Sequence, residues 1–113
     1  MRVRPLPMSW LIHTIDYEQV LEPDEYQKDT FSDPITVENV RVDLTRVYSR
    51  GMDGIVVVAE GVIFVDAANS IPFPKFKESS KIKFKGDDYM IKKVIPIYQP
   101  QTDALHHYEI EVV

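Results

Sequence analysis

Cysteine is absent from the 113-residue chain. Disulfides, thiolate metal sites and thiol nucleophiles are therefore excluded, and the chain can fold in a reducing compartment. Glycine is scarce, with four residues, which leaves little material for a phosphate-cradling loop. No Walker loop, dinucleotide-binding glycine pattern or nucleophile elbow occurs. Three histidines limit what remains for metals. No apolar run approaches the roughly 20 residues of a membrane-spanning helix. The opening MRVRPLPMSWLIHTID also lacks the long apolar stretch and small-residue cleavage site of a signal peptide. The expectation is a soluble protein, cytoplasmic by default, without a membrane partner.

What is present suits one globular domain over residues 1–113, with 44% hydrophobic residues and a formal charge of -5. The charge is uneven. Residues 75–93 hold Lys75, Lys77, Lys81, Lys83, Lys85, Lys92 and Lys93 against Glu78, Asp87 and Asp88. Sequence-independent DNA affinity comes from neutralised phosphates, so an acidic total argues against a generic DNA binder. Lys81, Lys83 and Lys85 alternate with Ile82 and Phe84, the pattern of a half-buried strand with a solvated lysine face. Such a face could equally keep an exposed sheet edge from pairing with other chains. KGDDY supplies turn residues, and YMIKKVIPIY reads as the returning strand of a hairpin. In that return strand Tyr89, Ile91, Ile95 and Ile97 share a face with Lys93, and a bulge near Lys92–Lys93 would repair the alternation.

Four further segments read as strands. SWLIHTIDY (9–17) is rich in aromatic and β-branched residues. VENVRVDLTRV places Val40, Val42 and Leu44 on one face and Arg41, Asp43 and Thr45 on the other. IVVVAEGVIFVDA is the most apolar stretch, expected to be central and largely buried. LHHYEIEVV turns Tyr108, Ile110 and Val112 inward. Residues 18–36 and 66–80 are long connections with room for a helical turn, although Pro72 and Pro74 exclude a long helix in the second. About six strand-like segments and few helices predict an all-β, mainly antiparallel barrel or sandwich.

Candidate chemistry is thin. His106 and His107 are adjacent in a strand and so point to opposite faces, which opposes joint ligation of one ion. They read as structural, with His106 on the apolar side beside Tyr108. His13 has no partner near it in sequence. The acids of DYEQVLEPDEY and GDDY fall in expected connections, match no EF-hand and lack a residue to complete an acid–base pair. No catalytic, metal-binding or cofactor-binding residue is assigned. Gly51 and Gly54 bracket a connection between the two best strands, either a flexible hairpin tip or a mobile loop that enters a partner or channel.

Taken together, DPITVENVRVDLTRV, GVIFVDAANSIPFPKF, FKESSKIKFKGDDYMIKKVIPIY and LHHYEIEVV resemble the small minor capsid proteins of head-morphogenesis clusters in Gram-positive tailed phages and prophages. These are similar to the head-completion, or stopper, proteins of siphophages. The resemblance covers the chain from about Pro5 onward. It implies a small β-barrel with extended loops, working in a ring, dodecameric in that group, below the portal. The implied partners are other copies of the chain, a portal or adaptor protein, tail-joining proteins, and packaged double-stranded DNA held in the channel without sequence specificity. The implied place is the head–tail interface of the virion, after assembly in the host cytoplasm. No cofactor or enzymatic activity is implied. The residues singled out are Ser49, Arg50, Gly51, Met52, Asp53 and Gly54 as a channel-facing loop. Lys81, Lys83 and Lys85 form a face turned to water or to acidic neighbouring subunits. The rival classes are an OB-type nucleic-acid-binding barrel, which would bind single strands through lysines and tyrosines, and a small hydrolase, which would need a cleft with a perturbed acid or base.

Overall fold

A computed structural model describes residues 4–22, 25–26, 30–100 and 102–113. The strands in chain order are β1 (His13–Glu18), β2 (Ile35–Asp43), β3 (Val47–Gly51), β4 (Gly54–Ala59), β5 (Gly61–Asp66), β6 (Lys81–Phe84), β7 (Asp87–Tyr98) and β8 (Leu105–Val112). Six close into a barrel in the order β1-β2-β5-β8-β7-β6, with β6 returning to β1, and every pairing is antiparallel. No helix occurs among the described residues. The expected antiparallel all-β barrel is what the chain forms.

Period-two patterning builds the core. Ile15 and Tyr17 of β1, Val37, Val40 and Val42 of β2, Ile63 and Val65 of β5, Ile82 and Phe84 of β6, Ile91 of β7, and Ile110 and Val112 of β8 are buried together. The barrel is thus filled by its own side chains, as small barrels are. Phe76, from the 66–80 connection, lies 4.7 Å from the Tyr17 ring, and Phe73 stacks on Tyr108 at 5.3 Å. These two phenylalanines cover the mouth where β1 ends and β8 begins. Burying the Tyr17 hydroxyl would be costly without a donor. It is met by the Lys77 N–H at 3.0 Å.

The expected bulge occurs. Ile91 faces Val112 but Lys93 faces Glu111, leaving Lys92 as the extra residue. The β6–β7 turn is Lys85–Gly86, both at positive φ (50° and 83°), the backbone of a two-residue hairpin whose twist matches its strands. Asp87 and Asp88 therefore belong to β7 and not to the turn. β1 starts at His13, later than residue 9, because residues 4–12 cross the outside of the barrel. Trp10 packs edge-on against Phe64 at 4.9 Å under the Arg41 guanidinium, and Leu11 is buried. Asp66, fully buried, accepts the N–H groups of Leu6, Ala68 and Asn69 at 2.9–3.0 Å and so pins this segment to the end of β5.

Two expectations fail informatively. IVVVAEGVIFVDA is not one central strand: the chain breaks at Glu60, and its first half forms a separate two-stranded sheet, β3–β4, outside the barrel. Leu44 lies past the end of β2 and is exposed, not inward with Val40 and Val42.

Candidate assembly surface

The β3–β4 hairpin leaves the barrel between the end of β2 and the start of β5, and its root is fastened at several points. Asp43 accepts both the hydroxyl (2.6 Å) and the N–H (3.1 Å) of Thr45, and the hydroxyl bond first, with the N–H bond and Arg41, holds its carboxyl below the usual range. Arg46 Nε donates to Glu60 at 3.0 Å, a contact that raises the guanidinium above its ordinary value. The Glu60 N–H donates to Val112 O. The bulge in β7 aims Lys92, whose Nζ donates to Val58 O at 2.6 Å. Gly61 packs so closely that a Cβ there would stand 2.7 Å from Asp43 O. Ala59 is the last buried residue before the break.

Beyond that root the hairpin is bare. Ile55, Val56 and Val57 are 64%, 52% and 44% exposed. Successive strand residues face opposite ways, so neither face of the ribbon is covered. Tyr48 is also exposed, and Met52 is fully so. The six residues expected as a loop divide accordingly: Ser49, Arg50 and Gly51 end β3, Met52 and Asp53 make the turn, and Gly54 (φ 110°) begins β4. The tip is a tight turn on paired strands and not an open loop.

The lysine face is present on β6 and the turn after it, with Lys83 and Lys85 exposed and Lys81 partly so. β6 is not a sheet edge, since β1 and β7 pair with it on either side. Edge protection is therefore not its role. In register, Lys81 lies opposite Glu18, and Lys83 lies between Asp16 on β1 and Asp88 on β7. Opposite charges facing across a ladder favour the pairing, and this interleaving breaks up any continuous cationic track for phosphates. Lys85 is in the turn, its Nζ 5.2 Å from the Phe84 ring centre.

The histidines also differ from expectation. The His106 and His107 rings meet, with their Nδ1 atoms 2.7 Å apart. Strand alternation fixes the Cβ directions, but the two rings still turn toward each other at the start of β8. His106 Nε2 bonds Arg4 O at 2.6 Å and His107 Nε2 faces Glu109 at 3.2 Å. The Arg4 carbonyl and the Glu109 carboxylate both accept, so each Nε2 donates to its outer partner. The pair fastens the N-terminal segment. Among the described residues, no cluster of three or more metal-ligating side chains occurs. His13 Nδ1 accepts the Val42 N–H at 3.0 Å; burial, and then Arg41 and Lys85, lower its pKa. Of the acids in DYEQVLEPDEY, Asp16 and Glu18 are in β1, Glu22 and Glu25 are in the connection after it, and Asp24 lies outside the described residues.

One feature carried no signal in the sequence. A pocket of about 230 Å³ opens where the starts of β6 and β7 and the last residue meet, walled by Phe31, Lys81, Asp88, Tyr89, Met90 and Val113. Its walls come from four separate stretches of chain, so no local pattern marks it.

The closed, filled barrel thus carries an apolar ribbon that its own chain leaves uncovered. In comparison with known proteins, the minor capsid protein family matches residues 7–112. The chain belongs to that family. It is thus a phage structural protein and a component of the virion. A relative of this minor capsid protein is the uncharacterized protein ORF5 of Lactococcus phage LL-H, 28% identical over 115 residues, covering 96% of this chain and 98% of the relative. No solved structure matches it significantly.

Proposed function

We propose that this minor capsid protein is a head–tail connector of the head-completion, or stopper, kind. It binds below the portal as a ring, dodecameric as in the group it resembles, helps to retain packaged DNA, and offers a platform to tail-joining proteins. The observation that carries the reading is the β3–β4 hairpin, rooted firmly and bare on both faces. An isolated two-stranded ribbon is marginal in water, so its exposed Tyr48, Ile55, Val56 and Val57 call for cover from neighbouring molecules. In the ring the tip, Ser49–Gly54, faces the channel, where double-stranded DNA passes without sequence-specific contact. The role needs no catalytic group. Assembly takes place in the host cytoplasm, and the finished position is the head–tail interface.

The test is a phage carrying an early stop codon in this gene. Its heads should package DNA but lose it, or remain tailless, and purified protein added to the extract should restore joining. Fully infectious particles at normal yield from the mutant would sink the assignment.

A further inference from the structure

We propose that the hairpin tip of one subunit seats in the Phe31–Met90–Val113 pocket of the next copy, a head-to-tail contact with Met52 as its anchor. The proposal rests on the ring reading above and names what holds the ring together.

Three observations point to a second copy as the occupant. First, shape: Met52 is fully exposed at the end of a projecting ribbon, while the pocket is a concavity of about 230 Å³. That is smaller than the roughly 300–1,000 Å³ of small-molecule sites and suits a side chain. Second, chemistry: the walls combine Phe31 and Tyr89 with Met90 and Val113. A flexible thioether fills irregular apolar gaps well and gains from aromatic neighbours. Third, charge: the tip carries Arg50 and Asp53 on either side of Met52, and the pocket rim carries Asp88 and Lys81. Seating the methionine sets an Arg–Asp and an Asp–Lys pair around an apolar centre, the arrangement of a small interface core with a polar rim.

Knob and pocket are different surfaces of one chain, so their contact is heterologous. Repeated with a closing rotation it makes a ring, whereas a self-complementary patch would stop at a dimer. Seating also fixes each tip against its neighbour at the channel wall, so that the lumen is bordered by hairpins laid one upon the next.

The absence of cysteine gives a clean test in assembled heads. A Met52→Cys/Met90→Cys double variant, treated with a short bifunctional thiol reagent, should give a ladder of covalent oligomers on a denaturing gel. Met52→Cys or Met90→Cys alone should give none. In parallel, wild-type heads are treated with an amine crosslinker. Amine-linked multimers without the thiol ladder would overturn the docking and leave the ring intact. Heads without multimers by either route would overturn the ring reading, and the docking with it. A second readout is charge reversal at exposed positions. Asp88→Arg should cut incorporation into heads about tenfold or more, since like charges placed together cost several kcal/mol, and Arg50→Asp in the same chain should restore it. Loss without restoration would also overturn the contact.

Discussion

Replacing Gly61 by alanine should loosen the junction between hairpin and barrel. A Cβ built there stands 2.7 Å from Asp43 O and 3.1 Å from Leu44 Cα, both backbone atoms, and 3.0 Å from Leu44 Cδ2. The leucine tip can turn aside. The backbone of β2 cannot, because Asp43 is held by its pairing with Val62 and by the Thr45 turn. Overpacking of this kind costs about 1–3 kcal/mol, and the reduced freedom of the unfolded chain returns about 0.4–1 kcal/mol. With the closest contact on a backbone oxygen, the net loss should be about 1–2 kcal/mol. For a chain of this size that is a fall in Tm of about 4–8 °C. Gly51→Ala is the control: its Cβ would meet only Gly54 O, at 3.7 Å, and with the same unfolded-state gain and no clash it should melt at or slightly above the wild type. Thermal denaturation followed by circular dichroism at neutral pH distinguishes them. A Gly61→Ala protein melting within a degree of Gly51→Ala would refute the close-approach argument.

Lowering of the His13 pKa from its ordinary 6.5 means that the unfolded chain binds the extra proton more readily. Its contribution to stability is complete above about pH 6.5 and is lost as pH falls toward the folded-state value. His13→Asn, which keeps an acceptor for the Val42 N–H, should flatten the fall between pH 7.5 and 5 in urea titrations, and unchanged slopes would count against the assignment. Asp66→Asn places an NH₂ group among three N–H donors and should cost about 1.5–3 kcal/mol. It should also brighten or shift the emission of Trp10, the chain's single tryptophan, as the N-terminal segment lifts; a silent spectrum would argue that Asp66 does not hold it. With acids facing Lys81 and Lys83, the wild type should bind free DNA weakly. Tight, salt-sensitive binding lost on changing Lys81, Lys83 and Lys85 to glutamine would instead favour the OB-type reading.

Where one face of a strand meets the barrel interior, the sequence was legible. Ile82 and Phe84 on β6 and Tyr108, Ile110 and Val112 on β8 alternate as written, and the misphased isoleucines of β7 betrayed the bulge at Lys92. The break at Glu60 was not legible. Residues 56–58 and 62–65 are both wholly apolar, and composition cannot separate residues buried by their own chain from residues left bare. Leu44 misleads for the same reason, since alternation continues past the strand that it describes. The histidine contact escaped because alternation governs where Cβ atoms point, while two rings on adjacent residues can still turn toward each other. Asp66, followed by Ala-Ala-Asn-Ser, did carry a signal: a carboxylate ahead of small polar residues often caps its own loop. The glycines at 51 and 54 marked the turn of the β3–β4 hairpin, whereas the pocket, built from four separate stretches, had no local pattern to find.

Closure of the barrel leaves β3 and β4 as the named strands with an unpaired edge. One of them runs Ile-Val-Val-Val-Ala without a charge or a proline, the composition of a segment prone to stack into fibrils. In the proposed ring this ribbon meets neighbouring subunits, so the free subunit would be exposed to misassociation through the same surface. Arg46 just before β3, Arg50 on β3, and Asp53 and Glu60 flanking β4 are positioned as gatekeepers against it. On the proposed ring reading, solubility of the free subunit and contact with its neighbours are thus competing demands on the same thirteen residues (47–59).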